Sequence, residues 1–474
     1  MGPTRKYSAL LLIVLSLVLL LPAAQAADPS GATNPATLEG VMNSIDYTWV
    51  LICAFLVFFM QAGFALVEAG MVRVKNVANV LMKNFMDFVM GTVVFLVIGY
   101  SLFMGADVGG LIGDPRTAFL LIGEAYDAGT MLSWFFMLVF AATAVTIVSG
   151  AIAERPKFKT YLIYSAVVTA VIYPIYAHWV WGGGWLATSD FMVDLGGGYG
   201  ALDFAGSGVV HALGGLLALA ACIVIGPRLG KYTKDGKPLP IPGHNMTMVM
   251  LGGFILWFGW FGFNAGSTLS GNQLVIAKIC VTTVIAGAAG ALTAMAVSWR
   301  RAGSADLGLT VNGMLGGLVG VTAGCAWVEP WAALVIGAVA GFIVCYGVWF
   351  LEKKGVDDVV GAISVHGLNG LWGLIALGIF ADGTYGVYAV DGPLVTGLLY
   401  GNAGFFAAQL INAAVVAAWA LGTGFALFYG LKRTVGIRVS PEEEMQGLDI
   451  SEHNVSAYPE MVTKELTMSQ EVRE

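Results

Sequence analysis

The chain has 474 residues, of which 58% are hydrophobic and only 11% are charged, and its mean hydropathy is +0.80. Soluble domains carry about 25% charged residues, so this composition excludes a soluble globular protein and indicates an integral membrane protein. The formal net charge of −7 owes much to the acidic C-terminal segment and does not indicate a nucleic-acid partner.

The N-terminus has the features of a secretory signal peptide. Arg5 and Lys6 precede an apolar run over 9–21, and small residues follow at Ala24 and Ala26. A basic start, a short apolar region and small residues at the cleavage site are typical of such a peptide. We therefore predict a signal peptide over 1–26. The alternative is an uncleaved membrane helix, although the run is short for a span of about 20 residues.

Eleven later stretches are apolar and long enough to cross a bilayer as helices. They predict an all-α integral membrane protein with an extracellular segment over 27–46, a membrane domain over 47–430 and a cytoplasmic tail over 431–474. The predicted spans are 47–69, 85–105, 130–152, 161–185, 204–226, 246–266, 272–297, 305–325, 330–351, 361–380 and 397–430.

The basic residues of the loops predict the orientation. Lysine and arginine concentrate in the odd-numbered connections and in the tail, whereas Arg116 is the only one in an even-numbered connection. Basic residues favour the cytoplasmic side of a membrane. We therefore predict a multi-pass protein of the inner or plasma membrane, with its N-terminus outside and its C-terminus in the cytoplasm.

Two histidines occur in matching positions within predicted spans. His211 follows Asp203, and His366 follows Asp358, each at a separation of eight residues. Eight helical residues cover about 12 Å, which places each histidine near the midplane of a hydrocarbon core of about 30 Å. The two helices run in opposite directions, so we predict an inverted repeat of five plus five helices, with the eleventh helix added.

The histidine pair predicts a pore at the repeat interface, because ionisable residues inside a membrane usually face a pathway or one another. Neutral imidazole donates at one nitrogen and accepts at the other, so His211 and His366 in contact suit a small hydrogen-bonding solute or a proton. The alternative is that each histidine is a packing residue bonded between helices. Asp203 is interpreted first as a helix N-cap, a role compatible with shaping a binding site.

Aromatic residues are dense in the segments that start at 134, 178 and 256. Such residues most often pack helices together or form an interfacial belt. A cluster at the outer mouth of a pore can instead hold a small cation on its ring faces, with about 0.5–2 kcal/mol per contact. Carrying the charge through apolar surroundings costs tens of kcal/mol by the Born estimate, so the cation must lose a proton, which the imidazoles can accept.

Several motifs together resemble the ammonium transporters of the Amt/Mep/Rh type, in particular the bacterial Amt proteins, over nearly the whole mature length. The matching segments are VRVKNV at 72, GAIAERPKF at 150, WGGG at 181, ALDFAGSGVVH at 201, GWFGFNAGS at 259, VHGLNG at 365, TVGIRVS at 434 and GLDISEHNVSAYP at 447. The resemblance implies a transporter or channel rather than an enzyme. It also implies a homotrimer with one pore per subunit, and a tail that can meet a PII signalling protein.

The resemblance also implies the roles of individual residues. It assigns Trp181, Phe140 and Ser267 to an external ammonium site, with Phe136 behind it and Asp203 in support, Phe140 and Phe263 to a gate, and His211 and His366 to the pore. Ammonium, or methylammonium, would lose its proton near the gate and cross as ammonia, with the proton relayed over the same pair. Glu68 and Lys278 receive no role.

Two other functions stay open at this point. An ammonium sensor that signals through its tail would keep the same pore motifs, and a membrane redox protein would bind haem between His211 and His366. The five cysteines form no CxxC pair and no metal-spaced cluster with histidine. We therefore expect free thiols and neither a metal nor a cofactor.

Overall fold

A computed structural model of the chain describes residue 34, residues 37–388 and residues 390–460. The predicted signal peptide over 1–26 lies outside these residues. Within them, ten helices are long and apolar enough to cross a membrane, and the shorter apolar helix Leu307–Thr322 occupies the position of the eighth predicted span. The prediction of an all-α membrane fold is therefore confirmed.

The helices are labelled α1 to α11 in chain order. They are Leu38–Met71, Val74–Met104, Ala128–Ile152, Phe158–Thr188, Ser207–Ile225, Met246–Gly266, Val275–Ala302, Leu307–Thr322, Pro330–Lys353, Ile363–Phe380 and Ala403–Thr434. The first helix begins before the predicted start at 47, because Thr37 caps it by accepting a hydrogen bond from the Gly40 N–H at 3.1 Å. Part of the segment expected to precede the membrane domain is thus helical.

Four of these helices contain a π-helical turn, at Phe95–Gly99, Val168–Ile172, Ser207–Ala212 and Ile363–Leu368. A π-turn inserts an extra residue into the helical ladder and is common at functional sites. The last two turns carry His211 and His366, so both histidines lie where their helix is locally widened.

The connections at one end of the helices contain short strands and helices. Strand β1 (Asp107–Val108) pairs with β2 (Ile112–Gly113), and β3 (Asp382–Gly386) pairs with β4 (Leu394–Thr396), both antiparallel. The short helices here are Phe119–Leu121, Gly123–Ala125, Asp190–Gly196 and Leu398–Tyr400. We call this end the open side, because the larger cavity described below opens there.

The C-terminal residues pack on the opposite end, which we call the tail side. Helices α12 (Pro441–Gln446) and α13 (Leu448–His453) follow α11. Asp449 Oδ1 accepts the Asn79 N–H at 2.8 Å, and Glu444 Oε1 accepts the Leu229 N–H at 2.7 Å. Residues 441–460 are therefore docked on the membrane domain and are more than a polar extension.

A buried ion network joins the loops of the tail side. The Arg228 guanidinium contacts Asp357 at 2.8 Å and Glu154 at 3.2 Å, and Glu154 also pairs with Arg73. Burial acts to raise the pKa of Asp357, but hydrogen bonds from Arg228 outweigh it and lower that pKa to about 2. Asp357 therefore stays ionised and holds its loop against Arg228.

Two glycines allow a close helix crossing beside the histidines. A Cβ on Gly215 of α5 would lie 2.0 Å from the backbone N of Gly367 in α10. The two backbones are in direct contact just past the histidines, as close helix packing in membranes requires. The five cysteines are free thiols, as expected, and all but Cys280 are buried.

Candidate functional site

Two aspartates hold the starts of the histidine helices in the same way. Asp203 accepts four backbone N–H groups, from Gly206, Ser207, Gly208 and Val209, at 2.7–3.0 Å. Asp358 accepts three at the equivalent offsets, from Gly361, Ala362 and Ile363, at 2.7–3.1 Å. The N-cap interpretation of Asp203 thus describes its geometry. The Asp203 side chain is 0% exposed, so these bonds are fully buried.

The two capped turns bring His211 and His366 into contact. Their Nδ1 atoms are 3.2 Å apart, and the ring centroids are 5.2 Å apart with an interplanar angle of 23°. Both rings are buried. Because two ring nitrogens within hydrogen-bond distance need one donor and one acceptor, the pair can share and pass a proton.

Two further aromatic residues enclose this pair. Trp260 stacks on His211 at a centroid distance of 5.1 Å and donates its indole N–H to Thr322 Oγ1 at 2.9 Å. Phe64 lies 6.0 Å from the His366 ring, between centroids. Neither residue was assigned a role from the sequence. Trp260 lies within the aromatic segment that starts at 256, but the same segment also contains rings that face elsewhere.

Phe140 and Phe263 separate the histidines from the open side. Their rings are stacked with centroids 4.1 Å apart and an interplanar angle of 23°, and both side chains are buried. Phe263 also lies 5.3 Å from the His211 ring, between centroids. A stacked apolar pair leaves no polar group to solvate an ion at this point, so it forms a dry barrier.

A cavity of about 470 Å³ lies on the open side of the stacked pair. Its wall contains the predicted site residues Phe136, Phe140, Trp181 and Ser267. Its other lining residues were not predicted from the sequence, and they are Met104, Met137, Val180, Gly183, Ala187, Thr188, Phe204, Thr268, Leu269 and Tyr388. Tyr388 comes from the last open-side loop, far along the chain, and no local sequence signal links it to this wall.

Trp181 and Ser267 are held by backbone carbonyls. The Trp181 indole N–H donates to the Asp203 carbonyl at 2.6 Å, and its ring meets Phe140 edge-on with centroids 6.1 Å apart. The Ser267 hydroxyl donates to the Phe263 carbonyl at 2.8 Å. The Asp203 carboxylate does not line the cavity. It acts indirectly, because its hydrogen bonds to the following N–H groups fix the backbone whose carbonyl accepts the Trp181 indole N–H.

The two unassigned charged residues lie in different places. Lys278 donates to Asp382 Oδ2 at 2.9 Å and to Thr384 Oγ1 at 2.7 Å, which ties α7 to β3 on the open side. Glu68 is 2% exposed and lies on the tail side of His366. Lys278 therefore has a structural partner, whereas Glu68 lies beside the path.

Comparison with known proteins agrees with this architecture. The model of the Ammonium Transporter Family matches residues 48–458. The chain is 64% identical over 453 residues to ammonium transporter Amt2 of Archaeoglobus fulgidus, a match that covers 96% of each chain. It is 39% identical to ammonium transporter 1 member 2 of Arabidopsis thaliana, over 82% of this chain and 79% of that protein.

Solved structures show the same fold. A structure described as a sensor Amt protein superposes with a TM-score of 0.79 at 34% identity, covering 88% of this chain and 100% of that one. Mep2 of Candida albicans superposes with a TM-score of 0.75 at 28% identity, covering 84% of this chain and 87% of that one. The chain therefore belongs to the ammonium transporter family, whose members are transporters and channels and not enzymes.

Proposed function

We propose that this ammonium transporter binds ammonium in the open-side cavity, removes a proton at the Phe140 and Phe263 barrier, and conducts ammonia along His211 and His366. The observation that carries the proposal is the 3.2 Å contact between the two Nδ1 atoms, directly behind the stacked phenylalanines. This order of groups suits a substrate that enters charged and crosses neutral.

The cavity wall offers what a small cation needs. Aromatic faces attract a cation by about 0.5–2 kcal/mol each, and the aromatic rings of Trp181 and Phe140 line the cavity. The Ser267 hydroxyl donates its hydrogen bond to the Phe263 carbonyl, so its lone pairs remain to accept an N–H from ammonium. The wall therefore combines aromatic contacts for a cation with an acceptor for one of its N–H groups.

The barrier favours loss of the proton. Moving an isolated ammonium into a dry apolar region costs far more than the aromatic contacts return, whereas neutral ammonia avoids this cost. The histidine pair beyond the barrier supplies one donor and one acceptor to ammonia. The released proton moves over the same pair, from one imidazole to the other.

The location and assembly of the protein are part of the same proposal. We infer that the open side faces outward and the tail side faces the cytoplasm of an inner or plasma membrane, as the basic residues of the odd-numbered loops favour. The transporter assembles as a homotrimer with one path per subunit. Its docked C-terminal segment is the place where a PII signalling protein would bind.

An ammonium sensor is the second candidate, because a structure described as a sensor Amt protein is similar to this chain at 34% identity. A sensor would bind ammonium in the same cavity without net conduction. The haem alternative does not fit the geometry. A haem held between two imidazoles needs its iron and macrocycle to fit between the ligating nitrogens, whereas the two Nδ1 atoms are in direct contact at 3.2 Å.

Solid-supported membrane electrophysiology with ammonium pulses on reconstituted liposomes tests the transport proposal. The wild type should give ammonium-dependent currents, and His211→Asp or the double variant His211→Ala/His366→Ala should lose or alter them. His244→Ala is the matched control, because His244 bonds to Tyr458 on the tail side at 2.9 Å and not to the path. Wild-type currents in every variant would refute the relay, and ammonium binding without current in the wild type would favour the sensor.

A further inference from the structure

A second, smaller cavity lies on the tail side of the histidine pair. Its volume is about 20 Å³, enough for one water molecule, which needs about 10–15 Å³ by this measure. Its wall includes His366, Phe64 and Glu68, and Glu68 is the only carboxylate among the described residues that line it. The path from the histidines toward the tail side therefore passes a buried acid.

Helix α1 sets the position of this acid relative to His366. Phe64 and Glu68 are four residues apart, so they lie on one face of α1, separated by about 6 Å along its axis. The Phe64 ring is 6.0 Å from the His366 ring, between centroids. Since α1 ends at Met71 on the tail side, Glu68 lies one turn beyond Phe64 in that direction.

One carboxylate oxygen of Glu68 anchors the side chain. Oε2 accepts hydrogen bonds from Asn84 Nδ2 at 3.0 Å and from Ser149 Oγ at 2.8 Å, while no residue in the described part of the chain donates to Oε1. Gly150 makes the space, because a Cβ there would lie 3.2 Å from Glu68 Cγ and 3.3 Å from Cδ. Glu68 is thus fixed through Oε2, while Oε1 accepts no hydrogen bond from the described residues.

Two other charged groups lie near Glu68. Lys83 is buried, and its Nζ has no hydrogen-bond partner within the described residues. Asp87 accepts hydrogen bonds from Tyr161, from Ser165 at 2.6 Å and from Thr146 at 3.3 Å. Both carboxylates can balance the charge of Lys83, but Asp87 does not line the cavity. Of the two carboxylates only Glu68 reaches the cavity, so a comparison of Glu68 with Asp87 distinguishes proton transfer from charge balance.

We propose that Glu68 is the proton acceptor on the tail side of the histidine pair, a role that rests on the proposed function. Nδ1 of His366 contacts His211, so Nε2 is the nitrogen available to exchange a proton with water in the small cavity. The imidazolium gives its Nε2 proton to a cavity water as that water gives a proton to Glu68 Oε1. Imidazole and carboxylic acid result, and the water is conserved. The acid then returns its proton to emerging ammonia, which forms ammonium and restores the carboxylate.

The test compares Glu68→Gln with Asp87→Asn in the full chain reconstituted in liposomes. Glutamine can still accept from Asn84 and Ser149, but it cannot take up a proton. Ammonium-evoked charge movement in Glu68→Gln should fall by about 100-fold, the lower range for a positioned proton-transfer group, while ammonia permeation measured by stopped-flow light scattering stays intact. Asp87→Asn should keep both signals, and Glu68→Asp should recover part of the charge movement.

The remaining outcomes overturn the inference, and each does so in a recognisable way. Charge movement in Glu68→Gln equal to wild type excludes a proton acceptor at this position. Equal losses in Glu68→Gln and Asp87→Asn assign both residues to the charge balance of Lys83. Loss of ammonia permeation together with charge movement, with a lowered melting temperature, assigns Glu68 a structural role. A wild type without any ammonium-dependent signal would instead contradict the proposed function itself.

Discussion

Trp181 and Ser267 share a feature that suits them to a transient cation. Each uses its only side-chain hydrogen-bond donor to bind a backbone carbonyl: Trp181 donates to Asp203, and Ser267 donates to Phe263. What they present to the cavity is therefore a ring face and hydroxyl lone pairs, both of which attract positive charge. Fixing the donors also fixes the rotamers, so little conformational entropy is lost when ammonium binds.

Replacing Trp181 with leucine should weaken recruitment. Loss of one cation–π contact of about 0.5–2 kcal/mol should raise the ammonium concentration at half-maximal current by about 2- to 30-fold. Concentration series of ammonium pulses on liposomes measure this shift. Trp299→Leu is the control, because Trp299 is 56% exposed and lies far from the cavity. An unchanged half-maximal concentration in Trp181→Leu would remove Trp181 from the binding site.

The repeated element is a capped π-turn with a histidine at the same offset. Asp203 and Asp358 each bind the backbone N–H groups of the turn that follows them, so the two turns are built by the same interactions in opposite directions. A carboxylate at a helix start also matches the helix dipole. This shared construction is why both histidine rings reach the interface and meet there.

The helices that carry these turns depend on a glycine contact. In Gly215→Ala the new Cβ would lie 2.0 Å from the Gly367 backbone N. Because the backbone itself must shift, the variant should lose about 1–3 kcal/mol or more of folding free energy, the range found for overpacked cores. We expect a lower melting temperature in detergent and a loss of ammonium current. Gly422→Ala has open space around it and should be neutral or slightly stabilising. Equal melting temperatures for the two variants would contradict this packing account.

At the scale of the whole molecule, the tail side is closed by residues far apart in the chain. The docked helix α13 contacts α2 through Asn76, whose Oδ1 accepts the Leu448 N–H, and through Asn79, whose N–H donates to Asp449 Oδ1. His453 bonds to Asn79 Nδ2 at 2.9 Å and packs edge-on against Phe158. The C-terminal segment therefore touches the ends of α2 and α4, so its position is coupled to the membrane domain.

The docking of this segment should weaken in acid. Burial lowers the pKa of His453 below its ordinary value of 6.5, with Asp449 acting in the opposite direction and Lys83 in the same one. The docked state thus binds fewer protons than the released state, and docking loses stability as the pH falls below 6.5. Limited proteolysis of the C-terminal segment should become faster between about pH 7.5 and pH 5.5. His453→Gln should flatten this dependence, and an equally steep dependence in that variant would exclude His453 as its source.

Local patterns predicted most of the elements and missed contacts that join distant segments. Hydropathy found the membrane helices, because each must bury its backbone polar groups in lipid on its own. It did not predict the early start of α1, which depends on the Thr37 cap, or the docking of α12 and α13. Trp260 and Phe64 were missed for a related reason, since one aromatic residue in an apolar helix looks like any other until its neighbours are known. Tyr388 was missed because it reaches the cavity wall from a loop far along the chain.

The sequence by itself determined the membrane class, the helical spans and the matched pair of aspartate and histidine, because these follow from composition, length and spacing along one chain. Only the tertiary structure decided that His211 and His366 touch, that Phe140 and Phe263 stack, and that Glu68 lines the path beyond them. Those are contacts between helices that are remote in sequence. They arise from close packing at the repeat interface, which no single helix specifies.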